Sequence, residues 1–169
     1  LTAGFPVPKG LCVTTAVYQY GLGQAGVDAP TIWTKLPGLS VEQRAQELAR
    51  IQRLLLEQPW PTGFPADLET RLTGLAGDSS TRWAVRSSAT NEDAADMSAA
   101  GLYRTTLGVS PAAVLQSIRD CWISLWNERV VQYRCRSGAD RPCPAMAVVI
   151  QPMLSAQAAG VAYSIHPVT

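Results

Sequence analysis

A short apolar run, Arg82-Trp83-Ala84-Val85, closes on Arg86 and is followed at once by Ser87-Ser88-Ala89-Thr90 and then by Asn91-Glu92-Asp93. Tryptophan and valine in succession favour a buried, extended segment, and the small hydroxyl residues after them favour a tight polar turn at its end. No other stretch constrains the fold as much. It requires a sheet with an interior strand that delivers a fixed cation to the edge of a site. Arginine keeps its proton at every accessible pH and presents a planar fork of donors, which suits phosphate oxygens. The same residue type also serves as one half of structural ion pairs, and the stretch from Val85 to Asp93 admits both uses.

The rest of the chain supplies neighbours for such a strand. Residues 5–13, with Pro6, Pro8 and Gly10 among apolar residues, predict an extended segment and a short strand. Thr14 or Thr15 then caps a short helix over residues 16–20. Residues 21–39 contain four glycines and two prolines and read as loop. Ser40 with Gln43 three residues later is a capping-box pattern. The helix behind it carries Val41, Ala45, Leu48, Gln52 and Leu55 on one stripe and stops at Pro59-Trp60-Pro61. A second helix over 65–75 turns Leu68, Leu72 and Leu75 inward, and 77–80 form a turn.

After the strand at 82–87 come an acidic loop at 91–98 and an extended segment over 102–109. Ser110-Pro111 opens a long helix that lasts to about Arg134, with Val114, Ile118, Cys121, Trp122, Leu125 and Tyr133 as its apolar stripe. A turn-rich connection spans 135–144. Buried strands at 145–150 and 160–165 follow, with a linker at 156–159 between them. Strands near 83, 104, 147 and 162, with one long helix between the second and third, predict an α+β chain. Its sheet is mixed or antiparallel, with helices on one face.

At 169 residues the chain is long enough for one domain or two small lobes. A net charge of +1 gives no electrostatic case for nucleic acid, and no Lys/Arg run suggests a membrane surface. No apolar run approaches the ~20 residues that cross a bilayer, and the N-terminus lacks the order of a signal peptide. Four cysteines without a C-x-x-C pair, and a single histidine, argue against zinc and for reduced thiols in the cytoplasm. Both ends look cut: Leu1 to Gly4 reads as the end of a helix, and Ser164 to Thr169 stop just after a strand. The expectation is a piece of a larger protein.

Three further features invite a chemical reading, each beside a plainer one. Gly101, in Ala99-Ala100-Gly101-Leu102-Tyr103-Arg104-Thr105-Thr106, suits a loop whose backbone N–H groups face a phosphate, or an ordinary hairpin turn. Gln151-Pro152-Met153-Leu154 suits a hinge that reads an adenine edge, with Met153 packed on the ring, or a strand end stopped by proline. Glu92, Asp93 and Asp96 suit a magnesium site or a solvated polar loop. His166, beside Pro167 and with no carboxylate or nucleophile next to it in sequence, reads as structural rather than catalytic.

Taken together these pieces resemble the nucleotide-binding domain of the phosphoenolpyruvate-utilising dikinases, the group of phosphoenolpyruvate synthase, pyruvate phosphate dikinase and rifampin phosphotransferase. Val85-Arg86-Ser87-Ser88-Ala89-Thr90-Asn91-Glu92-Asp93 with Ser98-Ala99-Ala100-Gly101 is similar to the family's VRSSATAEDxxxxSFAGQ. Gly4 to Thr15 resembles its G-x-x-VPxGFxVTT, and Cys121 to Arg134 its CWASLFxxRAxxYR helix. Val148 to Met153 and Ala159 to Thr169 are similar to VVVQKMV and AGVxFTxDPVT. Leu102, Pro152 and His166 depart from the pattern, where the family carries Gln, Lys and Asp.

The resemblance implies an ATP-grasp fold of which this is the N-terminal portion, a partial domain over 1–169 with a first lobe to about 84 and the nucleotide-site strands and long helix over about 85–169. It implies that ATP binds here, that Arg86 contacts its phosphates as the catalytic arginine, and that Ser87, Gly101, Thr105, Gln151 and Met153 complete the nucleotide site. Mg²⁺ is implied too, with ligands outside this chain. The partners implied are a swinging domain bearing a phosphorylated histidine and an acceptor domain for pyruvate or a drug, with no nucleic acid and no membrane. On this reading the fragment alone is inactive. The alternatives are a repurposed, non-catalytic ATP-grasp module, or the ATP-activating domain of a biosynthetic ligase.

Overall fold

Residues Trp83–Ala89 form the strand around which the others assemble. The computed structural model describes residues 7–76, 78, 80–90, 101–137 and 142–160. In chain order the elements are β1 (Leu11–Val13), α1 (Thr15–Gln24), α2 (Ala29–Lys35), a short 3-10 turn, α3 (Val41–Glu57), α4 (Phe64–Leu75), β2 (Trp83–Ala89), β3 (Thr105–Val109), a second 3-10 turn, α5 (Val114–Ser124), α6 (Glu128–Ser137) and β4 (Met146–Pro152). The four strands make one antiparallel sheet in the order β1-β4-β2-β3. The α+β expectation therefore holds. The acidic loop at 91–98, the start of the chain, and nearly all of the strand expected at 160–165 lie outside the described residues.

The apolar alternation of β4 explains its central place. Met146, Val148 and Ile150 are fully buried on one side, while Ala147 and Val149 between them are half-buried on the other. Opposite them on β2 stand Ala89, Ser87 and Val85. On the far side of β2 the register slips. Trp83 pairs with Val109, but Val85 pairs with Thr106, so β3 carries one residue more than its partner. Gly108 absorbs the bulge at φ 70°, a conformation that costs glycine nothing.

Helices cover the side of the sheet that carries Trp83 and Val85. Val114, Ile118, Cys121 and Trp122 of α5 are buried there, and behind α5 lie Leu48, Ile51 and Leu55 of α3. Each such side chain withdrawn from water contributes about 1.5–3 kcal/mol. The core is continuous from Val13 in β1 to Ile150 in β4.

Several expectations need correction. Residues 21–39 are largely helical, not loop. Helix α1 runs on through Gly21, which is buried and faces Leu55 and Trp122, and α2 follows. Asp28 starts α2 by accepting the Thr31 N–H at 3.3 Å and the Thr31 hydroxyl at 2.6 Å, and Pro30 occupies the first turn, where no N–H is lost. The long helix after Ser110 is two helices. Asn127 breaks it: its Oδ1 accepts from Val130 N at 3.0 Å, and its Nδ2 donates to the Ser124 carbonyl, so one residue ends α5 and caps α6. Ser110-Pro111 opens the 3-10 turn before α5 rather than the α-helix itself. In α3 the capping box of Ser40 and Gln43 is present, but Val41 and Ala45 are exposed and Ile51 joins the buried stripe. The segment expected over 102–109 becomes strand only at Thr105.

Aromatic rings knit the helical layer together. Trp33 stacks on Trp126 with centroids 5.0 Å apart, Tyr18 meets Trp122 edge-on at 5.9 Å, and Trp60 lies 5.2 Å from Trp122. The indole N–H of Trp126 donates to the Tyr18 hydroxyl at 2.9 Å, with both rings buried. Burial drives the Tyr18 phenol well above its ordinary pKa, so it stays neutral. Tyr18→Phe leaves that N–H without an acceptor, and urea denaturation is expected to show a loss of about 1–3 kcal/mol with an unchanged slope.

Candidate functional site

Because side chains alternate along a strand, β2 presents Ala84, Arg86 and Ser88 away from the helices. Antiparallel register then carries a row across the sheet. Arg86 lies opposite Thr105 on β3 and opposite Val149 on β4, and Val149 lies opposite Cys12 on β1. Gln151 pairs with Ala84 on the same face. One residue past β4, the Met153 N–H donates to the Arg82 carbonyl at 2.8 Å, which extends the pairing and leaves the Met153 side chain exposed. Arg86, Thr105, Gln151 and Met153 are thus brought onto one open face.

The other two candidates stand apart from that face. Ser87 pairs with Val148 and lies half-buried on the helical side, its N–H donating to the Arg104 carbonyl at 3.3 Å. Gly101 is exposed at φ 73°, ahead of β3, with open space where a Cβ would stand. The segment after it is tied to α5. Arg104 N donates to the Ser124 hydroxyl at 3.1 Å, and the Cys121 thiol donates to the Arg104 carbonyl at 3.3 Å.

Arg86 is exposed and makes no ion pair or side-chain hydrogen bond among the described residues. Other arginines are structurally engaged. Arg44 donates to both oxygens of Glu128, at 3.2 and 3.0 Å, which holds the Glu128 carboxyl below its usual range. Arg119 caps the end of α3 through the carbonyls of Leu56 and Gln58, lies 4.8 Å from the centre of the Trp60 ring, and has its pKa lowered by burial. Among the described residues, the Arg86 guanidinium is thus left open on the sheet face.

Two supports were not visible as such in the sequence. Thr90 closes the end of the β2–β4 pair from both sides: its N–H donates to the Ala145 carbonyl at 3.0 Å, and its hydroxyl accepts from Ala145 N at 3.1 Å. Gln151 Nε2 donates to the Pro8 carbonyl at 3.1 Å, reaching past Gly10. For a metal the described residues do not fit, since no group of three or more His, Cys, Asp and Glu converges among them. Glu92, Asp93, Asp96 and His166 lie outside the described residues.

An antiparallel sheet with helices on one face and an arginine-bearing open face defines the class: an ATP-grasp-like α+β fold, consistent with its N-terminal portion. The family described as "Pyruvate phosphate dikinase, AMP/ATP-binding domain" matches residues 1–169, and the chain belongs to that family. Phosphoenolpyruvate synthase of Aeropyrum pernix is 35% identical, over 100% of this chain and 22% of its own length. Rifampicin phosphotransferase of Streptomyces sviceus is 39% identical, over 98% of this chain and 19% of its own. That of Bacillus subtilis is 34% identical with the same coverage, 98% and 19%. The chain spans about a fifth of the length of these curated relatives. Among the described residues no helix is long and apolar enough to cross a membrane.

The cysteines give a direct check on which face is open. Cys12 and Cys135 are exposed, whereas Cys121 is buried, its thiol pushed up to about 12 mainly by burial and further by the charge of Asp120. Brief iodoacetamide treatment at about pH 8, followed by peptide mass mapping, is expected to label Cys12 and Cys135 and spare Cys121. Rapid native labelling of Cys121 would contradict the packing of α5.

Proposed function

We propose that this chain is the ATP-binding part of a dikinase-type phosphotransferase. The whole enzyme uses ATP to phosphorylate a histidine on a separate swinging domain, for onward transfer to pyruvate or a small molecule such as a rifamycin. The observation that carries the reading is Arg86, exposed on the open face between Thr105 and Val149 with no carboxylate partner among the described residues. Family membership supports it, since the family is one that binds AMP or ATP.

Phosphoryl transfer needs little covalent help from a protein and much fixed charge placed where charge develops. Arg86 supplies that charge from a strand held on both sides. Thr105 lies beside it as a hydroxyl donor, and Gly101 leaves the backbone before β3 free to approach the phosphates. Gln151 and Met153, at the other end of the same face, receive the base. Ser87 serves from behind: its paired N–H holds Arg86 in register. The first lobe reaches to about residue 84, and residues 85–169 carry the nucleotide strands. Mg²⁺ would accompany ATP in this reading and neutralise phosphate charge beside Arg86. Four free thiols favour a reducing compartment, and a cytoplasmic location is part of the same reading.

Leu102 and Pro152, at positions where the family pattern carries Gln and Lys, favour one second reading: a module that keeps the fold and ATP binding without catalysis. One experiment separates them. In the full-length protein, labelled ATP is expected to phosphorylate the histidine, and Arg86→Ala is expected to lower that rate by about a hundredfold or more. Undiminished labelling in Arg86→Ala would sink the role given to Arg86, and absence of labelling in the unaltered protein would favour the non-catalytic module. The isolated chain of 169 residues is expected to bind ATP weakly or not at all in calorimetry. Micromolar, Mg²⁺-dependent affinity there would overturn its dependence on the rest of the protein.

A further inference from the structure

A groove of about 700 Å³ runs along α4 on the helical side of the sheet, and the nucleotide reading makes no use of it. One wall is α4 itself, whose Pro65, Leu68, Leu72 and Ala76 follow one another at helical spacing down a single face. That wall is about 16 Å long at the rise of an α-helix. The other wall is the second 3-10 turn and the start of α5, with Ala112 exposed and Leu115 half-buried. Trp83 lies at the floor, 1% exposed, and its indole N–H has no acceptor among the described residues. Two acids line the groove, Glu69 beside the leucines and Asp78 past the end of α4, and no basic side chain lines it among the described residues. Asp78 stays charged, because its carboxylate accepts from the Ser80 hydroxyl at 2.6 Å and the Ser80 N–H at 2.8 Å, which holds it below its usual range. Asp67, on the same helix, is paired with Arg71 at 2.8 Å, whereas Glu69 has no ion pair among the described residues.

We propose that this groove holds an apolar segment bearing lysine or arginine, from elsewhere in the same polypeptide, and so fastens the lobe to the rest of the protein on the side of the sheet opposite Arg86. The form of the groove favours polypeptide over a metabolite. Apolar residues recur along three turns of one wall, which matches the repeat of a segment laid lengthwise against it, and a compact molecule would use only part of that length. Chain to supply the segment is plentiful in proteins of this kind, since these residues span about a fifth of the curated relatives. Burial of the leucines and of Trp83 supplies most of the attachment. The acids select which segment is accepted, because a like charge set against Glu69 and Asp78 is penalised and an opposite one is not. The inference makes no use of the nucleotide reading and is tested apart from it.

The test measures how fast a thiol at position 112, introduced by Ala112→Cys, is alkylated in the full-length protein, with the native cysteines separated by peptide mass mapping. Position 112 is exposed in this chain, so slow labelling there reports a cover. Native labelling is expected to be about tenfold or more slower than labelling in urea, at every protein concentration and after exhaustive dialysis. Adding Glu69→Lys is expected to raise the native rate about threefold or more with the melting temperature little changed. Labelling as fast in the native protein as in urea overturns the inference. Protection that grows with protein concentration belongs to a second copy, and protection that dialysis removes belongs to a small amphiphilic amine; either result overturns it too. An unchanged rate on adding Glu69→Lys removes the basic character of the segment and the proposal with it. Should Ala112→Cys fail to fold, Thr73→Cys, exposed on the opposite wall, takes its place.

Discussion

The pairing of β2 with β4 is the constraint on which the rest of the molecule depends. Seven consecutive positions, from Trp83 with Pro152 to Ala89 with Met146, are matched without a slip. Two apolar strands locked in this way leave each side chain one of two destinations, since the side-chain period is two. Trp83, Val85, Met146, Val148 and Ile150 go into the core beneath α5, and Arg86 with its neighbours is thereby forced outward. A one-residue slip would bury a guanidinium and strip the core of its largest residues at once. The position of the arginine is therefore secured by the same hydrophobic burial that stabilises the domain.

Fixing the ends of this pair matters as much as its middle. Thr90 binds the Ala145 main chain from both sides, so the hydroxyl residue that ends the small polar run acts as a latch. At the opposite end Met153 N reaches the Arg82 carbonyl, and Pro152 is tolerated because it stands at the strand's last paired position. On the β3 side, the extra residue at Gly108 adds local twist between β2 and β3. Function on the open face is thus carried by side chains whose backbone is held from several directions.

Much of this was legible in the sequence because its signals are local. The capping box at Ser40 and Gln43, the Leu68 and Leu72 pair, the valine-rich strand at 146–150 and the strand before Arg86 each declare themselves within a few residues. What stayed hidden depends on contacts across the chain. Residues 21–39 are rich in glycine and proline yet helical, because Gly21 fits between Leu55 and Trp122 and Asp28 caps α2. The break at Asn127 interrupts an apolar stripe that periodicity alone reads as continuous, since Leu125, Trp126 and Val130 stay buried through it. In the candidate site, the motif placed Arg86 and Ser87 side by side as letters. Only the pleat shows that they occupy opposite faces.

The five tryptophans have a practical bearing on how this protein is studied. Trp33, Trp60, Trp122 and Trp126 sit among the helices, and Trp83 points from β2 into the same layer. Intrinsic fluorescence is thus a gauge of helical packing, sensitive to unfolding and to the loosening of the aromatic cluster. A ligand settling on the opposite side of the sheet meets no indole, so its arrival is better followed by heat, by mass or by a label on Cys12 than by emitted light.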